Sequence, residues 1–316
     1  MGKGTRHITD PGEPVDKTIL ERLRHAESPV SGQSLARELG ISRVALWKRM
    51  EGLKAWGYRI EAGRRGYALV RDDGLSPVDL PPPVRVLPRV SSTMDAARDW
   101  GWAGAPSGAA LLALSQRSGR GRGGRTWESP DGGLYLSLIL RSALPAVYAG
   151  ALVLEAARTL LEVLGASGIR GASFRWPNDV TAGSRKLGGI LVDSFGGLDR
   201  PDFYVLGIGL NTASVEIPGR GTAGLEQLSE RVPRRRDLAA SLAESLRVWC
   251  ASPDTNPRRW EGLTPDPLCP ARAELWDGRI RKLRPRGYTA RGELSCYGFS
   301  LAYGECRKMS YEGEEP

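Results

Sequence analysis

Histidine is almost missing from this chain. His7 and His25 are the only two in 316 residues, and both precede the region that looks catalytic. That excludes a His-dependent nucleophilic triad and a His-rich metal centre there, so any acid–base chemistry must use carboxylates, Lys or Arg. Cysteine is scarce as well: Cys250, Cys269, Cys296 and Cys306 are scattered, with no CxxC pair. Such spacing fits reduced thiols in a cytoplasmic protein better than a disulfide framework. No apolar run is long enough to span a bilayer, so no membrane association is expected. The opening MGKGTRHITDPGEP lacks the apolar stretch of a secretory signal, and Arg6 stands where a myristoylation signal needs Ser or Thr. Acidic residues are outnumbered, 36 against 45 basic ones, for a formal net charge of +9. The excess favours an anionic partner, which could be nucleic acid, a nucleotide or an acidic protein.

What is present divides the chain. Residues 1–14 read as a disordered tail, and about 15–70 alternate short helical patterns with turn signals. Ile19, Leu20 and Leu23 form one apolar stripe; Leu35, Ala36 and Leu39 form a second, closed by Gly40. Ser42 is placed as the N-cap of a helix that buries Ala45, Leu46, Met50 and Leu53. That helix is expected to turn Arg43, Trp47, Lys48 and Arg49 outward. YRIEAGRRGYALV follows as a candidate hairpin with Arg64 and Arg65 at its tip, and the whole reads as a winged helix-turn-helix. A basic helix and a basic wing on one unit favour DNA binding, although such units also serve as plain packing modules. RDDGLSPVDLPPP, residues 71–83, is a polar and then proline-rich connector.

From about 84 to 262, VRVLPRV, AALLALS, LYLSLIL, GILVDSF and FYVLGIGLN read as strands. SSTMDAARDWG, AVYAGALVLEAARTLLEVLG and DLAASLAESLRVWCA read as helices. Several strands are joined by loops too short for crossover helices, so a mixed sheet with helices over one face is expected. Residues 263–316 look like short strands parted by glycines, a small β-barrel or β-sandwich with a thin core that leans on the central domain.

Two stretches of the central region carry chemistry. QRSGRGRGGRTWESPDGGLYLS puts Arg117, Arg120, Arg122 and Arg125 on a glycine-rich loop between two strands. Glycines 119, 121, 123 and 124 allow close backbone approach to a ligand, and the arginines supply forked donors for carboxylate or phosphate. RGG-like runs often belong to disordered nucleic-acid binders, but a single copy between apolar strands favours a loop that covers a ligand. RWPNDVTAGSRKLGGILVD presents Asn178 and Asp179 at a strand end and a lone Lys186 before the next strand. Taken singly, Asn-Asp is a turn, an edge lysine snorkels, and the glycines of GIGLN mark close packing.

In this order, Gln116 with GRGRGGRTW, then SPDGGLYLS, RWPND, RKLGGILVD and GIGLN, the chain resembles a biotin–protein ligase over essentially residues 16–250. With its amino-terminal unit, it is similar to the bifunctional members that also repress biotin-synthesis genes. The resemblance implies an α+β architecture: a winged helix-turn-helix, a mixed-sheet ligase domain of the class II synthetase kind, and an SH3-like barrel. It implies that Ser92, Thr93 and Gln116 hold the ureido head of biotin, and that Gly119, Arg120, Gly121 and Arg122 belong to the loop folding over biotin and its adenylate. Arg120 would face the biotin carboxylate and α-phosphate, Arg122 and Arg125 the ATP phosphates, and Trp127 the adenine. Gly189, Gly207 and Gly209 would line the biotin tail, with Asn178 and Asn211 near the nucleotide phosphates and a Mg2+ ion.

The chemistry implied is formation of biotinyl-5′-AMP from biotin and ATP, then transfer of biotin to a lysine of a biotin carboxyl carrier protein. Lys186 suits the cation shared by biotin carboxylate and α-phosphate, and Asp179 the base or orienting carboxylate for the acceptor amine. Operator DNA and a ligand-promoted homodimer are the further expected partners. Two alternatives stand beside this: a DNA-binding biotin sensor without transferase activity, and a lipoate or octanoate ligase. Arg175 replaces the lysine common before WPND, and Met94 stands where a small polar residue is usual. Arg279, Arg281, Arg284, Arg286 and Arg291 make the final segment unusually basic for the family.

Overall fold

The computed structural model describes residues 14–80, 83–217, 221–263 and 270–311. The expected tail, except Pro14, lies outside them, as do Pro81, Pro82 and Cys269. The chain opens with helices α1 (Pro14–Arg24), α2 (Gly32–Glu38) and α3 (Arg43–Ala55), then strands β1 (Arg59–Gly63) and β2 (Gly66–Arg71). The hydroxyls of Ser31 and Ser42 accept hydrogen bonds from the N–H groups of Ser34 and Ala45, so both helices of the turn motif begin on a side-chain cap. Ile19, Leu20, Leu35, Leu46, Met50 and Leu53 meet in one buried core. β1 and β2 pair antiparallel, leaving Arg64 and Arg65 at an exposed tip.

The central elements are β3 (Val84–Val90), α4 (Thr93–Trp102), β4 (Ala109–Gln116), β5 (Gly119–Arg120), β6 (Thr126–Trp127) and β7 (Leu134–Leu140). There follow α5 (Ala149–Ala166), β8 (Ala172–Arg175), β9 (Asp179–Ala182), β10 (Arg185–Gly196), β11 (Pro201–Leu210) and α6 (Arg235–Ala251). Seven strands make one sheet in the order β3-β4-β7-β11-β10-β9-β8. Only β3 and β4, joined through α4, run parallel; every other neighbouring pair is antiparallel. The sheet is mixed, as the loop lengths required.

Alternation along the strands decides what each face does. Leu134, Leu136, Leu138 and Leu140 of β7, with Tyr204, Leu206, Ile208 and Leu210 of β11, share a core with Leu152, Leu160, Leu242 and Leu246 of α5 and α6. The alternate residues form the other face. There Ile139, Phe203 and Val205 pack with Met94 and Ala97 of α4 in a separate cluster. Helices therefore cover both faces, not one. The correction has a simple cause: α4 is short and seals only one end of its face. At the other end the facing positions are Gly189, Gly207 and Gly209, which leave a hollow instead of a packed layer.

The last strands are β12 (Ala271–Leu275), β13 (Ile280–Leu283), β14 (Pro285–Tyr288), β15 (Leu294–Cys296), β16 (Phe299–Leu301) and β17 (Cys306–Tyr311). They form two three-stranded antiparallel sheets, β13-β12-β17 and β14-β15-β16. This small unit rests on the central domain. Gly150 of α5 lets its backbone seat closely, since an added Cβ would come within 2.7 Å of the Arg291 oxygen. Tyr288 donates from its hydroxyl to the Leu263 carbonyl at 3.0 Å.

The connector after β2 is bolted down. Asp72 accepts from Arg24 at 2.9 Å and from Arg236 of α6 at 2.6 Å, while Asp79 accepts from Arg24 at 2.7 Å and also from the Tyr58 hydroxyl. Leu75 and Leu80 of the same stretch are buried. Among the described residues, no helix is long and apolar enough to cross a membrane.

Candidate active site and nucleic-acid interface

The hollow over the sheet glycines is roofed by the arginine loop. β5 and β6 pair as a short ribbon, Gly119 with Trp127 and Arg120 with Thr126, so the loop is a folded flap. Trp127 lies across the floor: a Cβ on Gly209 would stand 2.6 Å from its ring, and one on Gly189 would stand 3.3 Å away. Neither glycine has a positive φ, so glycine is needed here for space. Gly207 is opened in the same way to Met94, whose sulfur would lie 2.5 Å from an added Cβ. The cavity measures about 90 Å³, lined by Thr93, Gln116, Arg120, Trp127, Asn178, Lys186 and their neighbours.

Lys186 is drawn into this cavity. Its ammonium lies 2.5 Å from the Asp179 carboxylate and 5.2 Å from the centre of the Trp127 ring. Lys186 and Asp179 face each other because β9 and β10 form a hairpin, which brings Asp179 opposite Gly189. Both side chains are 32% exposed, so the pair is open to exchange. An ion pair this exposed is worth about 1 kcal/mol or less. A competing anionic ligand can therefore displace Asp179 from Lys186 at small cost.

One end of the cavity is organised by a chain of hydrogen bonds. Ser137 donates to Thr93 at 2.9 Å, and Thr93 donates to the Gln116 oxygen at 3.0 Å from its hydroxyl and 2.7 Å from its backbone. The Gln116 amide donates onward to Ser129 at 2.8 Å, and Ser129 to the Trp127 carbonyl at 3.0 Å. Gln116 thereby links α4, the sheet and the flap. Gly119 backs this network: a Cβ there would lie 2.7 Å from the Ser129 hydroxyl. The Ser92 hydroxyl and the Trp127 indole N–H are buried without a hydrogen-bond partner. Buried orphans of this kind call for a polar ligand or water.

The arginines divide by function. Arg120 lines the cavity, but its guanidinium is held by Asp95 of α4 at 3.1 Å and Asp193 of β10 at 3.2 Å. Burial pushes the Asp193 carboxyl above its usual range, while Arg120 pulls it back down. Arg125 also lines the cavity and donates to the Arg122 carbonyl at 3.1 Å.

Arg122 departs from expectation. Its side chain is buried on the far side of the flap, donating to the carbonyls of Tyr303 at 2.8 Å and Arg307 at 3.1 Å, and to that of Cys306. Its guanidinium also stacks near the rings of Trp276 and Tyr303. Its guanidinium pins the flap to the C-terminal unit, while the residue also lines the cavity. The physical reason is supply of acceptors: three carbonyls converge where β17 begins, and a planar fork matches them. Gly123, at φ 65°, completes the seam, because a side chain there would strike the Trp276 ring.

Asn178 and Asn211 line the cavity and are buried, and their side-chain amides donate to the Ile190 and Ala223 carbonyls at 3.1 and 3.2 Å. Gly121 also lines the cavity. Among the described residues no group of three or more His, Cys, Asp or Glu could hold a metal. Ser137, Asp95, Asp193, Trp276 and Tyr303 were missed from the sequence. Ser137 had a signal, a polar residue at a facing position of LYLSLIL; the others had none, since their partners lie far away in the chain.

On the winged unit, Arg43, Trp47, Lys48, Arg64 and Arg65 are exposed. Arg49 is not: it is half-buried and pairs with the buried Asp16 of α1 at 3.2 Å. Its position one residue before the buried Met50 turns it towards α1, so it belongs to the fold and not to the outward surface.

Residues 86–211 match the Biotin/lipoate A/B protein ligase family, and residues 16–68 match an HTH domain. Over 243 residues the chain is 35% identical to the bifunctional ligase/repressor BirA of Bacillus subtilis, covering 72% of this chain and 71% of that one. It belongs to the family of bifunctional ligase/repressors. The Escherichia coli ligase/repressor BirA is 33% identical over 237 residues, covering 69% and 71% of the two chains. The ligase fold is shared with a solved biotin protein ligase from Aquifex aeolicus in complex with biotin and ATP, at 23% identity and a TM-score of 0.58, over 72% of this chain and 99% of that one.

Proposed function

We propose that this ligase/repressor joins biotin to the α-phosphate of ATP, forming biotinyl-5′-AMP, and passes biotin to a lysine of a biotin carboxyl carrier protein. The observation that carries the reading is Lys186, held between Asp179 and the Trp127 ring over a glycine floor. Trp127 packs directly over Gly189 and Gly209, so its ring shifts off that floor as substrates enter. Biotin's tail then lies along Gly207 and Gly209, and its ureido head meets Thr93, Gln116 and the unpartnered Ser92 hydroxyl.

In the first step a biotin carboxylate oxygen bonds to the α-phosphorus as the bond to the β-phosphate oxygen breaks, releasing pyrophosphate. Both reactants are anions, so the cost lies in bringing them together. Lys186 exchanges Asp179 for them and bridges both; Arg125 adds charge on the phosphate side. Arg120, held by Asp95 and Asp193, fixes the flap across the mouth. In the second step the acceptor amine attacks the acyl carbon, AMP leaves, and Asp179 takes the proton. A lysine is mostly protonated near pH 7, so an adjacent carboxylate has work to do.

Mg2+ fits the donors present. It keeps several waters and binds through phosphates with one or two oxygen ligands, so the Asn178 and Asp179 end of the cavity would hold it with pyrophosphate. When bound it supplies charge neutralisation on the leaving group. The winged unit binds an operator, and filling of the pocket promotes pairing of two copies across two half-sites. Incubation with ATP, labelled biotin and a carrier domain tests the enzyme: label on the carrier lysine supports the reading. Binding of biotin and DNA with no label transferred would leave a sensor without ligase activity.

A further inference from the structure

The outward face of α3 carries two large apolar side chains that the fold does not use. Val44 is 63% exposed and Trp47 53% exposed, while Leu46, Met50 and Leu53 of the same helix are fully buried. Val44 and Trp47 are three residues apart and so share one face, with Arg43 and Lys48 beside them. Arg49, the remaining cation of that turn, is taken by Asp16. The first carboxylate along the helix, Glu51, is already paired with Lys54. The presented surface is thus two cations around an apolar centre near the helix N-terminus, and Arg64 and Arg65 of the wing are exposed as well.

We propose that Val44 and Trp47 read thymine, their apolar atoms taking the C5-methyl groups of two bases in the major groove. This rests on the DNA-binding reading above. The major-groove edge offers one apolar feature, the thymine methyl; every other marker there is a hydrogen-bond donor or acceptor. Val44 has no polar atom and can meet only the methyl; the Trp47 indole has one N–H donor on an otherwise large apolar ring. Arg43, Lys48, Arg64 and Arg65 supply the sequence-independent attraction to phosphates, so affinity and sequence preference reside on different residues. Each half-site therefore holds thymine beneath the first turns of α3.

The full-length protein, with biotin and ATP present, is used to select duplexes from a randomised pool. Every enriched thymine is then replaced singly by deoxyuridine, which removes only the methyl. Enrichment of thymine, with about fourfold weaker binding for each methyl removed, supports the proposal; fourfold is what burial of one methyl implies. Val44→Ala and Trp47→Ala should each lose the deoxyuridine effect at one enriched thymine and keep it at the other, and the double variant should bind thymine and uracil duplexes alike, all with the salt dependence of the parent. Arg64→Ala should weaken all duplexes together and flatten that dependence. Both apolar positions are exposed, so thermal melts of the two variants should match the parent.

Selected sites without thymine, no deoxyuridine effect, or full methyl discrimination by both alanine variants would each overturn it. Binding without any sequence enrichment also overturns it and leaves DNA binding intact. Failure to bind any duplex sinks the DNA-binding reading itself.

Discussion

Replacing Arg122 by methionine separates two accounts of the flap. Family resemblance put this guanidinium on ATP phosphates; the structure puts it on the carbonyls of Tyr303, Cys306 and Arg307. Methionine keeps much of the aliphatic volume against Trp276 and Tyr303 but leaves those carbonyls without their charged donor. Losing hydrogen bonds from a charged donor costs about 1.5–3 kcal/mol each, and the guanidinium's own burial cost, removed with it, offsets part of the sum. A net loss of about 3 kcal/mol in docking the flap on the C-terminal unit follows, roughly a hundredfold more undocked flap. Hydrogen exchange reads this directly: amides of residues 119–127 should exchange about a hundredfold faster, while those of β7 and β11 keep the parent rate. Arg122→Lys should recover only part, since one ammonium cannot serve three carbonyls. Unchanged flap exchange, with a tenfold or greater rise in KM for ATP, would refute the reasoning and return Arg122 to the phosphates.

Three further outcomes follow from the same contacts. Gly209→Ala places a Cβ 2.6 Å from the Trp127 ring, so the indole must shift; calorimetry should show biotin binding at least tenfold weaker, with little change in the melting temperature. Burial works against the Asp72 and Asp79 carboxylates, but hydrogen bonds to both from Arg24, to Asp72 from Arg236 and to Asp79 from Tyr58 outweigh it and hold both below the usual 3.8. Stability from these groups is then complete above that value and lost as pH falls through the depressed folded one, so melts should hold steady to about pH 4 and drop below it. Asp79→Asn leaves Arg24 and Arg236 sharing Asp72, at a cost of about 3–5 kcal/mol at neutral pH, and should flatten the acid limb of the same curve.

How much of this was legible depended on range along the chain. The cap at Ser42, the stripe of Leu46, Met50 and Leu53, and the strands AALLALS, LYLSLIL and FYVLGIGLN are local patterns, and all appear where the residues put them. The glycines of the pocket floor were visible as motifs, but their purpose needed the register that sets Gly189 opposite Gly209. Two facts were out of reach. Arg122 meets partners more than 180 residues away, and no periodicity foretells which of four loop arginines turns outward. Arg49 carries the same charge as Lys48, and only the packing of α1 shows that it answers Asp16. RDDGLSPVDLPPP read as a connector because its acids are polar; that they are clamped by Arg24 and Arg236 is a tertiary fact.

The central claim is that Lys186 gathers the two anions of the first reaction. ATP–pyrophosphate exchange with biotin present tests it most directly. Lys186→Ala should lose exchange by several orders of magnitude while the protein still melts as the parent does and keeps its flap folded. Exchange at the parental rate in that variant would contradict the account.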